Sequence, residues 1–195
     1  MAVDMAVESL ERNSDLLAAD AVDVWIEPGE STAVGPLEVG AVHVPGHQAD
    51  HLAYPVDIGG ESALFAGDMA IEPFRSVSLH DGLDDGHREA VDAFYAALDR
   101  LAALDVDRVY PGHGPVHRNL QGVVRRDRES LDARLDAVRD LVADGHETAA
   151  EVAFALAGDR DIEYIVPETM AALAHLESTG AVTLEVVDGV RRYDA

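Results

Sequence analysis

The stretch VPGHQADHLAY, residues 44–54, places His47 directly after a Pro-Gly corner at the end of an apolar run. Two later stretches share this design: LFAGD ends on Asp68, and RVYPGHG contains His113. Each polar side chain follows a strand-like apolar segment and stands beside a glycine, whose backbone freedom permits a sharp turn. The sequence therefore predicts that the three side chains meet at one rim of a sheet.

Two imidazoles and a carboxylate are suitable ligands for zinc or a similar divalent ion, and open coordination positions would admit water. Water ionised near neutral pH can attack an ester, a thioester or a phosphodiester. A lone loop histidine is more often structural than a ligand, and Asp68 by itself could cap a turn. The repetition at His47, Asp68 and His113 is what predicts a metal site, and no separate catalytic residue is identified.

The charge of the chain is strongly acidic. Asp and Glu number 38 against 14 cationic residues, all of them Arg, for a formal charge of −24. The negative side chains repel one another in dilute buffer, and molar salt screens this repulsion. We therefore expect a salt-adapted cytoplasmic protein. The acids are spread along the chain, which argues against an acidic binding tail. With no Cys, a metal site must use His and carboxylates.

The first 118 residues are predicted to form a short helix, a mostly antiparallel meander and a second helix. Helical spacing of apolar residues covers 5–19 and 88–104. Apolar segments separated by turn residues predict strands at 22–26, 37–44, 51–58, 63–67 and 108–110. The composition, 48% hydrophobic, indicates a folded chain, and no apolar run is long enough for a membrane span. The N-terminal residues show no targeting pattern.

Residues 119–195 read as a winged-helix module. A long helix ends at Gly145, Thr148–Glu151 forms a capping box, and Pro167 opens a third helix that ends at Gly180. Two apolar segments joined by Asp188-Gly189 predict a hairpin, the wing. The helix at 168–178 carries two Glu and no Arg, which argues against nucleic-acid binding because phosphate contacts need cations.

The series PGH, LFAGD and YPGHG, with its ligands spaced by 21 and 45 residues, resembles the second half of the metallo-β-lactamase superfamily. The resemblance covers about residues 22–118, and the appended module is similar to that of the β-lactamase-like subgroup with endoribonuclease relatives. It implies an α+β fold, the C-terminal half of an αββα sandwich followed by a winged helix. It also implies that His47 binds one zinc ion, His113 another, and Asp68 bridges them.

The family's HxHxDH cluster has no counterpart here, since no histidine precedes His43. HQADH at 47–51 resembles its end but already forms the PGH corner. We therefore expect a truncated metal-dependent hydrolase with weak metal binding and a sheet that exposes an apolar face. Three explanations for the missing cluster stay open: a truncated or misread gene, a split enzyme whose first half is another chain, and a self-associating remnant.

Two partner hypotheses follow. A complementary first-half chain or a homodimer would restore a hydrolase of esters, thioesters or phosphodiesters, whereas an inactive interaction module would bind a partner chain through its sheet and winged helix. The sequence does not decide whether the chain is an enzyme. Among the other histidines, His51 either orients the rim by hydrogen bonding or is a strand-start residue without chemistry. His80 reads as part of a solvated acidic turn.

Overall fold

The computed structural model describes residues 22, 24–79, 85–158, 160, 162 and 164–195. Within them, one sheet has the order β1-β2-β4-β5-β6, with β3 also paired to β4, and β7 and β8 form a separate hairpin. Every pairing is antiparallel except that of β5 with β6. The strands are β1 Ser31–Val34, β2 Leu37–Gly40, β3 Val42–His43, β4 Leu52–Ile58, β5 Glu61–Gly67, β6 Arg108–Pro111, β7 Thr183–Val187 and β8 Val190–Asp194.

A short 3₁₀ helix at Asp85–Arg88 precedes four α-helices in the described part of the chain. These are α1 Ala90–Ala102, α2 Leu120–Ala143, α3 Ala149–Ala157 and α4 Ile165–Ser178. The predicted helix at 88–104 is confirmed as α1, whose buried stripe includes Val91, Phe94 and Leu98. The helix expected at 5–19 lies outside the described residues.

The strand predicted at 22–26 is wrong for residues 22 and 24–26, which have no regular structure. Val24 and Trp25 are 61% and 73% exposed, so this β-branched and aromatic run is not buried against the sheet. The end of the sheet is instead formed by β1, which pairs with β2. A strand needs a neighbour for its backbone hydrogen bonds, and this run has none among the described residues.

The single strand predicted at 37–44 is two strands, β2 and β3, separated at Ala41. Val39 pairs with Val56 and Val42 pairs with Ala53, so Gly40 and Ala41 between them lie opposite Pro55 and Tyr54 of β4. Proline has no N–H to donate, which interrupts the ladder at this point. The Ala41 N–H donates to the Glu30 carbonyl at 2.9 Å, and the chain then proceeds toward the His47 corner.

In the C-terminal part, the predicted helices and hairpin are present, but α4 starts earlier than predicted. The Thr148–Glu151 capping box and the Asp188-Gly189 hairpin are confirmed. Helix α4 begins at Ile165, two residues before the predicted start at Pro167. Proline is tolerated throughout the first turn because its missing N–H would have no partner within the helix there.

One buried apolar cluster joins the sheet to the helices on both sides of residue 119. It contains Leu64 of β5, Val109 of β6, Phe94 of α1, Leu131 of α2 and Leu173 of α4. The helices after residue 119 therefore pack on the core that supports the strand ends, while the boundary at 118/119 and the winged-helix assignment stay predictions. No helix in the described ranges is both long and apolar enough to cross a membrane.

Candidate metal centre

Three strand ends bring His47, Asp68 and His113 together. His47 Nε2 lies 3.4 Å from Asp68 Oδ2, and His113 Nε2 lies 3.5 Å from Asp68 Oδ1. Each carboxylate oxygen thus faces a different imidazole. The side chain of His47 is 14% exposed, that of Asp68 36% and that of His113 69%, so the group opens to solvent on the His113 side.

The imidazole of His47 has a fixed orientation. Its Nδ1 is 3.0 Å from the carbonyl oxygen of Val77, and a carbonyl can only accept, so Nδ1 carries the proton. Nε2 is then directed toward Asp68. This is the usual arrangement for a metal-binding histidine, whose second ring nitrogen donates to a carbonyl or carboxylate.

His51 supports the rim from behind. Its Nε2 accepts the backbone N–H of Asp68 at 3.1 Å, and its Nδ1 is buried with no hydrogen-bond partner among the described residues. Burial, reinforced by the nearby His47, lowers the pKa of His51, so its neutral form is favoured and Nε2 is available as an acceptor. Of the two interpretations of His51 from sequence, the geometry favours the orienting one.

Close approach at two glycines allows this arrangement. A Cβ at Gly67, whose φ is +52°, would lie 2.7 Å from His51 Nε2. A Cβ at Gly112 would lie 2.7 Å from Asp68 Oδ1. Both positions exclude larger residues, which explains in physical terms why glycine flanks the ligands in the sequence motifs.

An open cavity of about 580 Å³ adjoins the three side chains. Its remaining wall comes from the segment after Asp68 and from the start of α4, mostly as apolar groups: Ile71, Phe74, Val77, Leu79 and Tyr164. Arg75 also borders the cavity, but its guanidinium is committed to Glu168 at 2.6 Å. The cavity therefore offers a polar end at Asp68 and an apolar wall opposite.

The separations between these atoms are compatible with ligands of one shared ion. Two ligands of a tetrahedral zinc, each about 2.0–2.2 Å from the ion, lie about 3.3–3.5 Å apart. The two contacts of Asp68 have this separation. They use different oxygens, however, and among the described residues no set of three or more His, Cys, Asp or Glu side chains forms a group that could hold a metal ion.

His43 and His117 lie outside this group. His43 Nε2 contacts the Ala49 carbonyl at 2.7 Å, and His117 Nε2 contacts the Ala70 carbonyl at 2.8 Å. Both interactions fix loops next to the rim. His80 lies outside the described residues.

Comparison with known proteins identifies the family to which this arrangement belongs. Residues 6–113 match the sequence profile of the metallo-beta-lactamase superfamily. An atrochrysone carboxyl ACP thioesterase of Cryptosporiopsis sp. (strain 8999) is 27% identical over 86% of this chain and 54% of its own length. A hydroxyacylglutathione hydrolase of Rhodopseudomonas palustris is 31% identical over 67% of this chain and 48% of its own length.

A solved structure of the same family also resembles this chain. A metallo-beta-lactamase family protein of Thermus thermophilus superposes with a TM-score of 0.76 at 27% identity, over 87% of this chain and 53% of that one. Coverage this large requires most of the residues after 119. The chain spans about half the length of the relatives it matches.

Proposed function

Because the chain belongs to the metallo-beta-lactamase superfamily, we propose that it carries part of the metal centre of a zinc-dependent hydrolase. His47 and His113 are the nitrogen ligands, and Asp68 is the shared carboxylate. The observation that carries this proposal is the pair of 3.4 and 3.5 Å separations between Asp68 and the two imidazoles. The homologues support the hydrolase class, since a thioesterase and a hydroxyacylglutathione hydrolase are among them.

The chain's own residues prepare this centre for a divalent ion. Val77 holds the Nδ1 proton of His47, and His51 holds the backbone of Asp68, so both ligands are oriented in advance. A divalent ion held there would supply Lewis-acid polarisation of a carbonyl and an ionised water as nucleophile. Asp68 keeps one oxygen toward each imidazole, the arrangement that a bridging carboxylate needs.

Further ligands are required for a complete centre. No histidine precedes His43 in these 195 residues, and three donors divided between two positions leave each incomplete. We propose that the remaining donors come from protein outside these residues, on the same polypeptide or on another chain. Alone, this chain is expected to bind zinc weakly.

The substrate class proposed is a thioester with an apolar acyl group. Two of the relatives are named for thioester chemistry, an acyl carrier protein thioesterase and a hydroxyacylglutathione hydrolase. The cavity beside Asp68 has apolar walls at Ile71, Phe74 and Leu79, which suit an acyl chain whose carbonyl is directed toward the ligands. A hydroxyl of Tyr164 at the rim can contact a polar substituent.

Zinc titration of the full chain in concentrated salt tests the metal assignment. We expect Asp68→Ala to weaken zinc binding by at least about 10-fold, the minimum loss seen when only a supporting residue of a metal site is removed. Asp50→Ala is the matched control, because Asp50 is an exposed aspartate three residues from His47. Equal zinc affinity in the wild type and Asp68→Ala would remove the metal assignment.

The substrate class is tested separately, in a preparation that binds zinc. A thioester of a medium-length fatty acid and the matching oxygen ester are compared at equal concentration. Preferential thioester hydrolysis that is lost in Asp68→Ala supports the assignment. Equal rates for the two esters, or rates that do not depend on Asp68, count against it.

A second candidate function is a module that binds a partner chain without catalysis. One observation favours it: Phe65 is 42% exposed and stacks on Tyr110 at 5.0 Å, on the face of the sheet opposite the buried Leu64. Ile58 is likewise 40% exposed. Sedimentation of the wild type and Phe65→Glu separates the two functions when combined with zinc titration. A metal-free homodimer that Phe65→Glu dissociates supports the binding module.

A further inference from the structure

Glu168, on α4, is a buried carboxylate that lies 90 residues from the segment it contacts. Its side chain is only 5% exposed. Oε1 accepts hydrogen bonds from Arg75 Nη2 at 2.6 Å and from the backbone N–H of Ser78 at 3.0 Å. Oε2 lies 3.3 Å from Arg134 Nη2 of α2. A carboxylate buried this deeply is stable only with such charged and hydrogen-bonding partners.

The two groups held by Glu168 stand on either side of Val77. Arg75 precedes it by two residues and Ser78 follows it directly. The same short segment has further anchors: Arg75 Nη1 donates to the Ser76 carbonyl at 2.8 Å, and the Ser78 hydroxyl donates to the Ala90 carbonyl at 3.2 Å. Glu168 is the acceptor common to both sides, so it fixes where the Val77 carbonyl points.

The Val77 carbonyl in turn fixes His47. It accepts the Nδ1–H of that imidazole at 3.0 Å, which leaves Nε2 facing Asp68 Oδ2 at 3.4 Å. We propose that Glu168 is a positioning residue for the metal centre, acting through Ser78, Arg75 and the Val77 carbonyl to set the tautomer and direction of the His47 ring. The helices after residue 119 thereby take part in the site.

This inference rests on the proposed function, because the side chain it concerns is one of the proposed metal ligands. Its direct test needs no metal. In the metal-free chain labelled with ¹⁵N-histidine, the ring nitrogen shifts of His47 are measured over a series of alkaline pH values, up to the point where they stop changing. The wild type is expected to show the single neutral tautomer with the proton on Nδ1.

Three variants separate positioning from general support of the fold. Glu168→Ala is expected to give a mixture of His47 tautomers. Glu168→Gln keeps an oxygen acceptor for the Ser78 N–H and is expected to keep the wild-type tautomer. Thr169→Val is the matched control, because Thr169 is a fully buried neighbour whose hydroxyl donates to the Ile165 carbonyl of its own helix. It should leave the His47 shifts unchanged.

Zinc affinity gives a second readout. We expect Glu168→Ala to weaken zinc binding by about 10-fold, as is typical when the support of a ligand is lost. Added to His47→Ala, the same change should cause no further loss. If the wild type binds no zinc, the proposed function fails, while the tautomer measurement still decides the role of Glu168.

The proposal is overturned if folded Glu168→Ala keeps the single wild-type tautomer, or if Thr169→Val changes the His47 shifts as much. Glu168→Leu keeps a similar side-chain volume but offers no acceptor to the Ser78 N–H, so it carries the same expectation as Glu168→Ala. It replaces that variant if Glu168→Ala does not fold.

Discussion

Replacing Gly67 with alanine tests the support of Asp68 most sharply, because the chain offers a matched control. At Gly67, φ is +52° and the new Cβ would lie 2.7 Å from His51 Nε2. At Gly59, in the turn after β4, φ is +67° and a new Cβ would meet nothing within 4 Å. Both substitutions impose the same left-handed backbone on alanine, but only Gly67→Ala displaces an imidazole.

The expected magnitudes follow from these two terms. Left-handed backbone costs an alanine about 1–2 kcal/mol, offset in part by about 0.4–1 kcal/mol from a less flexible unfolded chain. Gly59→Ala should therefore reduce the free energy of unfolding by about 1 kcal/mol. Gly67→Ala also takes His51 Nε2 away from the partly buried Asp68 N–H. An unsatisfied donor adds about 1–2 kcal/mol, giving a total of about 2–3 kcal/mol.

Urea denaturation of the two variants and the wild type, at one high salt concentration, measures these differences. Zinc titration of the same samples should show weakened binding for Gly67→Ala and unchanged binding for Gly59→Ala. If both variants lose the same stability and bind zinc equally, then His51 does not hold Asp68 in the way described and the reasoning is refuted.

Three further predictions concern the rest of the chain. Thr148→Ala removes the side-chain acceptor of the capping box at the start of α3 and should reduce the free energy of unfolding by about 1 kcal/mol. An unchanged free energy of unfolding would count against the capping box. Burial raises the pKa of Asp127 above its ordinary 3.8, so its carboxyl binds a proton more tightly in the folded state. As pH falls from 7 through that raised pKa, wild-type stability should therefore rise relative to Asp127→Asn, and a constant difference would contradict this. Unfolding temperature should increase with KCl because salt screens a net charge of −24, and a decrease would refute the salt-adaptation hypothesis.

The local patterns in the sequence predicted most of the fold. Alternation and turn residues located β4, β5 and β6, and the Asp-Gly turn located the final hairpin. The errors arose where tertiary contacts decide. The run at Val24 and Trp25 has strand composition but no neighbouring strand among the described residues, and Pro55 of β4 divides the segment at 37–44.

The convergence of His47, Asp68 and His113 could also be predicted, since each ligand is marked by its own glycine corner. The residues that hold these three side chains in place could not be predicted. The spacing of His51, four residues after His47, gave a weak signal of its contact with Asp68. Glu168 gave none, because it reaches Ser78 across 90 residues and only the packing of α4 beside the sheet brings them together. A contact between residues so far apart in the chain leaves no local sequence pattern.

The central claim is that Asp68 joins two imidazoles in a metal centre. Anomalous diffraction at the zinc absorption edge, from crystals of the full chain grown with zinc, tests it most directly. We expect a peak within bonding distance of Asp68 and of Nε2 of His47 or His113, and no such peak in Asp68→Ala crystals. Zinc peaks only at surface carboxylates, with none beside Asp68, would contradict it.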